Sequence, residues 1–347
     1  MSVLVELLKV ALGNCSQLSG SLTAEEWSII LEEARRQAVV GVLLDGIERL
    51  PEDQRPQQLL LLQWIGECVQ IEERNKLLNE AVAQLYRIFK NWEIRSCVLK
   101  GQGLARLYPN SFRRQSGDVD LWAEGGRRRV LQFLKNNLFK TGSVVIHHVD
   151  AEIIQGVETE VHFMPIWLYN PVHNHRLQRF FSEKSCEQFE NYNTELGFCH
   201  STVEFDVVYN LVHIFHHLLE EGIGLRHIID YYYILKNSNG STRSDIMKTI
   251  RLVGMNKFSA AMMWVLKEIC GASNDMLLCK PNEKEGRWLF NEILVSGNFG
   301  HQRTDEDMHR NSTKRLMMMV KHYPDEVLWM RPWKLWHWCW RKYYRYN

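Results

Sequence analysis

VLKGQGLARLYPNSFRRQSGDVDLW, residues Val98–Trp122, is the stretch on which the reading of this chain turns. Cys97, Val98 and Leu99 form a short apolar run that reads as a buried strand and ends at Lys100-Gly101. Gln102 to Tyr108 reads as one or two turns of amphipathic helix, broken by Pro109-Asn110. The basic pair Arg113 and Arg114 follows, and Gly117 opens a second strand, Asp118-Val119-Asp120-Leu121-Trp122. Side chains on a strand alternate faces, so Asp118 and Asp120 project to one side and Val119 and Leu121 to the other. Two ionised carboxylates about 4 Å apart repel by roughly 4 kcal/mol at an effective dielectric of about 20. Such a pair calls for a cation, and oxygen donors on a rigid strand suit Mg²⁺, which completes its shell with water and substrate phosphates. The stretch therefore reads as a metal-phosphate site.

Strand, Gly-x, short helix, then a strand carrying Asp-x-Asp resembles the core of the polymerase-beta-like nucleotidyltransferase superfamily. More narrowly, Leu99-Lys100-Gly101, Leu107-Tyr108-Pro109 and Arg114-Gln115-Ser116-Gly117-Asp118-Val119-Asp120-Leu121 resemble the signature of a bacterial family labelled uncharacterised nucleotidyltransferase. The resemblance extends to Glu160-Val161-His162, to the His-rich segment His213 to His217 and to Leu225–Asp230. It implies an α+β fold, a small mixed sheet flanked by N- and C-terminal helical regions. It also implies an NTP substrate with Mg²⁺ or Mn²⁺ as cofactor. Within it, Asp118, Asp120 and a third acid on the later strand hold the metals; Glu160 is that acid, because the family pattern places it two residues before His162, with Glu158 in reserve. Lys100, Gly101, Gln102, Arg114, Gly117, His162 and Arg226 are the expected nucleotide-binding residues. The superfamily usually carries Gly-Ser or Gly-Gly where this chain has Gly101-Gln102, and Gln102 lacks the small hydroxyl that touches a phosphate.

Around this core the chain reads as helical. Thr23 with Glu26 three residues later forms a capping box ahead of a helix reaching toward Gln37. Val39 to Leu50 continues as helix, and Gln57 to Trp92 reads as one long core-facing helix. After Arg127-Arg128-Arg129 opens a helix to Asn137, Ser143 to Val149 and Val157 to Phe163 read as a strand pair joined by Asp150 to Gly156. On the second of these strands Glu158, Glu160 and His162 share one face; a polar edge strand is the alternative to a site there. Val203 to Glu220 carries His213 and His217 at i and i+4, a spacing open to a metal, a phosphate or simple packing. In the next helix Arg226 stands i to i+4 with Asp230 and either pairs with it or reaches a triphosphate. Three regions are expected: a helical 1–92, a catalytic core at 93–200 and a helical 201–347.

Composition narrows the function classes. A formal net charge of +1 gives no global field favouring nucleic acid, so a protein, sugar or small-molecule acceptor is preferred to RNA. The eight cysteines show no zinc spacing and read as free thiols in a reducing cytosol. No signal peptide and no spanning segment is read, and the expected compartment is the cytoplasm. The polar stretch Gly297 to Arg310 reads as a mobile loop. The tail interleaves Trp333, Trp336, Trp338, Trp340, Tyr343, Tyr344 and Tyr346 with Arg331, Lys334, Arg341, Lys342 and Arg345. It reads as a terminal helix packing its tryptophans on the body, with membrane-surface contact ranked second and RNA third. The resulting function is metal-dependent transfer of an NMP from an NTP to a hydroxyl acceptor. The alternative is a non-catalytic nucleotide-binding module that keeps the fold.

Overall fold

A computed structural model describes residues 3–296 and 315–345. The expected loop from Gly297 to Arg310 lies outside the described residues. Four helices come first: α1 (Val3–Ala11), α2 (Ala24–Arg36), α3 (Val40–Arg49) and the 34-residue α4 (Gln58–Asn91). The capping box at α2 forms as the sequence predicts, Thr23 accepting from the Glu26 amide at 3.2 Å while Glu26 accepts from the Thr23 amide at 2.8 Å. These helices bury Trp27, Trp64, Leu7 and Leu43 in a core shared with the C-terminal helices.

The sheet follows. β1 (Ser96–Val98), the short α5 (Gln102–Ala105), β2 (Val119–Ala123), α6 (Gly126–Asn136), β3 (Lys140–Val144), β4 (His148–Ile154) and β5 (Val157–His162) build a five-stranded sheet in the order β1-β2-β5-β4-β3. The β2–β5 pair is parallel and the others antiparallel. The architecture is α+β with a small mixed sheet between helical regions. The sheet packs a second core against α4 and α6, with Leu85, Phe89, Leu121, Phe133 and Val161 fully buried or nearly so.

The expected strand pair is corrected here. The expected strand Ser143 to Val149 is broken at 145–147 and divides between β3 and β4. Residues 150–156 are not a loop: His148 to Ile154 is a strand, and β4 turns into β5 through Gln155-Gly156, where Gly156 adopts φ +75°. The alternation Val149, Ala151 inward and His148, Asp150, Glu152 outward carries the strand period through the polar residues that made the segment look loop-like.

Beyond the sheet lie α7 (Pro171–Glu190), a two-stranded ladder of β6 (Tyr192–Asn193) and β7 (Phe198–Cys199), α8 (Val203–Glu220), α9 (Leu225–Asn237), α10 (Arg243–Leu252), α11 (Asn256–Val265), α12 (Glu283–Ser296), α13 (315–322) and α14 (Pro324–Arg345). α8 is buried nearly all round, which is why its histidines sit in the interior. No described helix is long and apolar enough to cross a membrane. All eight cysteines are free thiols, and Cys68, Cys97, Cys199 and Cys270 are buried.

Candidate functional site

Leu99 extends the β1–β2 pairing by donating its amide to the Asp120 carbonyl at 3.0 Å, so Lys100 and Gly101 leave the sheet beside Asp120. Gly101 has φ +54°, ψ −117°, a conformation closed to residues with a Cβ, and starts α5. β2 and β5 then run parallel in a register that sets Asp120 opposite Glu160 and Trp122 opposite His162. Asp118 stands just ahead of β2 rather than inside it.

Asp120 is 2 % exposed, and its Oδ1 accepts from Lys100 Nζ at 2.9 Å and lies 3.0 Å from His162 Nε2. His162 Nε2 also lies 3.3 Å from Glu160 Oε2. Burial works against the Asp120 carboxylate, yet Lys100 and His162 outweigh it and hold its pKa well below the ordinary range. Burial likewise disfavours the His162 cation, but hydrogen bonds with Asp120 and Glu160 raise its pKa to about 9. For Asp118 the dominant influence is the charge of Asp120, which together with burial pushes its carboxyl above the usual value. The two aspartates thus stand in unlike environments: one neutralised internally, the other driven to seek a cation or a proton.

Lys100, Gly101, Arg114, Gly117, Asp118, Asp120 and Arg226 line one narrow cleft with a cavity of about 30 Å³, which His213, His227 and Asn210 close from α8 and α9. On the far side of Asp118 a wider groove of about 520 Å³ runs along β3, β4 and β5, lined by Asp150, Glu158 and Glu160. Asp118 is common to both.

Several predicted residues are held otherwise than their expected roles would suggest. Gln102 is 3 % exposed and turns toward α4, donating to Asn79 Oδ1 at 2.6 Å and the Asn75 carbonyl at 3.2 Å while Ser116 donates to it at 2.7 Å. It braces the loop ahead of Asp118. Arg114 is buried and forks onto Asp230 at 2.7 and 2.8 Å, so Asp230 pairs with Arg114 rather than with Arg226. Arg226 donates to the Gln115 carbonyl at 3.1 Å and remains on the cleft wall. Lys100 Nζ donates to His213 Nε2 at 2.7 Å, and His217 Nε2 lies 3.0 Å from the same atom. Burial, then the charge of Lys100, keeps the His213 pKa well below the ordinary imidazole value.

Reasoning from sequence missed His148 and Asp150. Their His-x-Asp spacing on β4 mirrors the Asp-x-Asp of Asp118 and Asp120, and that period was the available signal. The arginines opening α6 take protein partners: Arg129 donates to the Glu93 carbonyl at 2.8 Å and Arg127 lies over the Trp340 ring at 4.8 Å. The tail divides. Trp333 stacks on Trp167 at 5.0 Å, whereas Trp336, Trp338 and Tyr343 are exposed.

The sequence family described as uncharacterised nucleotidyltransferase matches residues 23–271, well over half of the chain. The chain belongs to that family. Membership supports a nucleotidyl-transfer role, and the match reaches from the first capping box through the cleft-closing α8 and α9 to beyond α11. No curated protein matches the sequence. Among solved structures, an antigenic nucleotidyltransferase-like protein from Paracoccidioides brasiliensis superposes at 13 % identity and a TM-score of 0.34, over 60 % of this chain and 96 % of that one. The Thermotoga maritima CCA-adding enzyme complexed with tRNA superposes at 10 % identity and a TM-score of 0.21, over 73 % and 75 % of the two chains. Both superpositions are too loose to bear on substrate or site.

Proposed function

We propose that the protein transfers an NMP from an NTP to a hydroxyl acceptor, with Asp118, Asp120 and Glu160 holding Mg²⁺ or Mn²⁺. The observation that carries this reading is the register bringing Glu160 beside Asp120 across the parallel β2–β5 pair, with Asp118 one strand period away. The donor set fits a hard divalent ion: carboxylate oxygens on two adjacent strands, with the Asp118 carboxyl raised by its neighbour's charge. Held by Asp118, Asp120 and Glu160, such an ion would offset the negative charge that develops on the reacting oxygens. On this reading 93–200 carries the chemistry, while 1–92 and 201–347 supply walls, as Asn75 and Asn79 do behind Gln102 and as Asn210 and Arg226 do across the cleft.

The chain's own residues have the following parts. Gly101 brings backbone close to the phosphates, and Lys100, Arg226 and the Asp230-paired Arg114 give the narrow cleft its positive wall. That cleft has room for about one water, so a triphosphate enters only as Lys100 leaves Asp120. The wider acidic groove is of substrate size, and its charge suits a neutral acceptor better than RNA. The acceptor hydroxyl attacks the α-phosphorus in line, its proton passes to a carboxylate at Asp118 or Glu160, and pyrophosphate leaves.

A second reading rests on the Lys100–Asp120 pair: an internal cation already neutralises the deepest carboxylate, as a nucleotide-binding module without turnover would require. Pyrophosphate release from each of the four NTPs with Mg²⁺ or Mn²⁺ decides between them. Transfer predicts metal-dependent release that falls at least about a hundredfold in the Asp118→Asn, Asp120→Asn double variant. NTP binding without release across candidate acceptors would establish the module instead.

A further inference from the structure

β4 and β5 pair so that His148 lies opposite His162 and Asp150 opposite Glu160. Two imidazoles and two carboxylates thus occupy adjacent rows of one sheet face, and His147 joins them from the residue before β4. Their polar atoms follow one another closely. His147 Nε2 is 2.8 Å from His148 Nδ1, which is 3.2 Å from Glu160 Oε2, which is 3.3 Å from His162 Nε2. One ligand atom from each of His147, His148 and His162 falls within 4.8 Å of the others. Neighbouring donors around an ion with bonds of about 2.1 Å stand about 3.0 Å apart in an octahedron and about 3.4 Å in a tetrahedron.

Hydrogen bonding alone leaves this cluster unresolved. His148 faces carboxylate oxygens from both nitrogens, Asp150 Oδ1 at 3.1 Å from Nε2 and Glu160 Oε2 at 3.2 Å from Nδ1. A neutral ring has a single N–H. With Nε2–H donating to Asp150, Nδ1 can accept the N–H of His147 Nε2 but still turns its lone pair toward the Glu160 carboxylate, a contact that a cation between them relieves. A histidine whose outer N–H is held by a carboxylate while its other nitrogen faces inward is the arrangement in which proteins orient metal-ligating imidazoles. Asp120 engages His162 Nε2 at 3.0 Å, which leaves its buried Nδ1, without a hydrogen-bond partner, as the nitrogen open to an ion; the buried Nδ1 of His147 is without a partner as well. Mg²⁺ takes oxygen ligands, whereas imidazole suits zinc and its first-row neighbours.

We infer that His147, His148, His162 and Glu160 form a binding site for a nitrogen-preferring divalent transition-metal ion of the Zn²⁺ class, with Asp150 orienting His148. The site shares Glu160 with the proposed transfer centre, but ion binding here requires neither nucleotide nor turnover.

The test is a titration of metal-stripped, full-length protein with Co²⁺ in the absence of NTP, followed by visible absorption. One Co²⁺ per chain is expected, with bands shifted and intensified from those of the aqueous ion, displaced by Zn²⁺ and not by a large excess of Mg²⁺. His148→Ala weakens binding at least about tenfold and Asp150→Asn also weakens it, while Asp118→Asn leaves it unchanged. A wild-type spectrum identical to aqueous Co²⁺ overturns the site without reliance on any variant. So does Co²⁺ that Mg²⁺ displaces readily and that Asp118→Asn abolishes, since that describes an oxygen-only centre. Pyrophosphate release in Mg²⁺ without the Co²⁺ spectrum removes this inference and leaves the transferase; the Co²⁺ spectrum without release does the reverse.

Discussion

Asp206 shows what burial does to a carboxyl that no cation touches, with the Arg106 charge acting only from a distance. It is fully buried in α8, where desolvation, opposed by the Ser201 hydroxyl at 2.6 Å, pushes its pKa up to about 7. Ser201 Oγ donates to Asp206 Oδ1 and also lies 3.4 Å from the Leu99 carbonyl, which ties α8 to the strand end that launches Lys100. The folded pKa lies above the unfolded value of 3.8, so the contribution to stability is complete below pH 3.8 and is lost as pH rises toward 7. A shift from 3.8 to about 7 corresponds to roughly 4 kcal/mol at most. Asp206→Asn keeps an acceptor oxygen for Ser201 and cannot ionise. It is expected to melt above wild type at pH 8, with an advantage that shrinks toward pH 4; a gap independent of pH would refute the assignment. Asp120, equally buried, stays ionised because Lys100 and His162 reach it. The period-two spacing drew Asp118 and Asp120 together in the sequence, while Glu160, which the register sets opposite Asp120, was singled out by the family resemblance with Glu158 in reserve. The Lys100–Asp120 and Arg114–Asp230 pairs were not legible there, since each joins residues whose approach depends on folding.

At the scale of elements, long helices and their caps were legible and the sheet's outer strands were not. α4 ends within a residue of its expected bounds because Trp64, Cys68, Leu78, Val82, Leu85 and Phe89 keep the helical period, interrupted on the buried face by Asn75. β4 was lost because its outward face carries His148, Asp150 and Glu152, a polar face that reads as loop until the β4–β5 register is known. Register comes from pairing, which a single strand's sequence does not contain. Local propensity can also mislead at a position read correctly as helix. Gly41 lies inside α3, where alanine would favour the helix by about 1 kcal/mol. Yet a Cβ there would meet the Arg113 carbonyl oxygen at 2.2 Å, and that backbone belongs to the loop leading to Arg114 and Asp118. Gly41→Ala is therefore expected to destabilise by about 1–3 kcal/mol and to weaken NTP binding by shifting the cleft wall. A stability equal to or above wild type in urea unfolding would show that the loop yields freely.

At the scale of the whole molecule, the C-terminal helix closes the structure behind the site. The tail was legible as a terminal packing helix, but which of its aromatic residues turn inward was not, because the surface they cover is built from distant segments. α14 brings Trp333 onto Trp167, which also meets His147 at 4.3 Å between ring centroids. Its first turn carries Glu326, 2 % exposed, which accepts from the Tyr169 amide at 2.8 Å and the Asn170 amide at 3.0 Å and lies 2.8 Å from His173 Nδ1. One carboxylate thus satisfies backbone donors at the start of α7, a helix more than 150 residues earlier in the chain. Glu326→Gln preserves shape but replaces an acceptor oxygen with a donor and removes the charge. The amide oxygen can keep the two backbone bonds, leaving the amine against His173. Hydrogen bonds to a charged group contribute about 1.5–3 kcal/mol each, so a loss of about 2 kcal/mol is expected, read as a lower urea midpoint with an unchanged slope. An unchanged midpoint would mean that α14 rests on the body through its aromatic contacts alone, with Glu326 a bystander. A lowered midpoint with a shallower slope would mean instead that α14 unfolds apart from the rest, and that the wall behind His147 is its own cooperative unit.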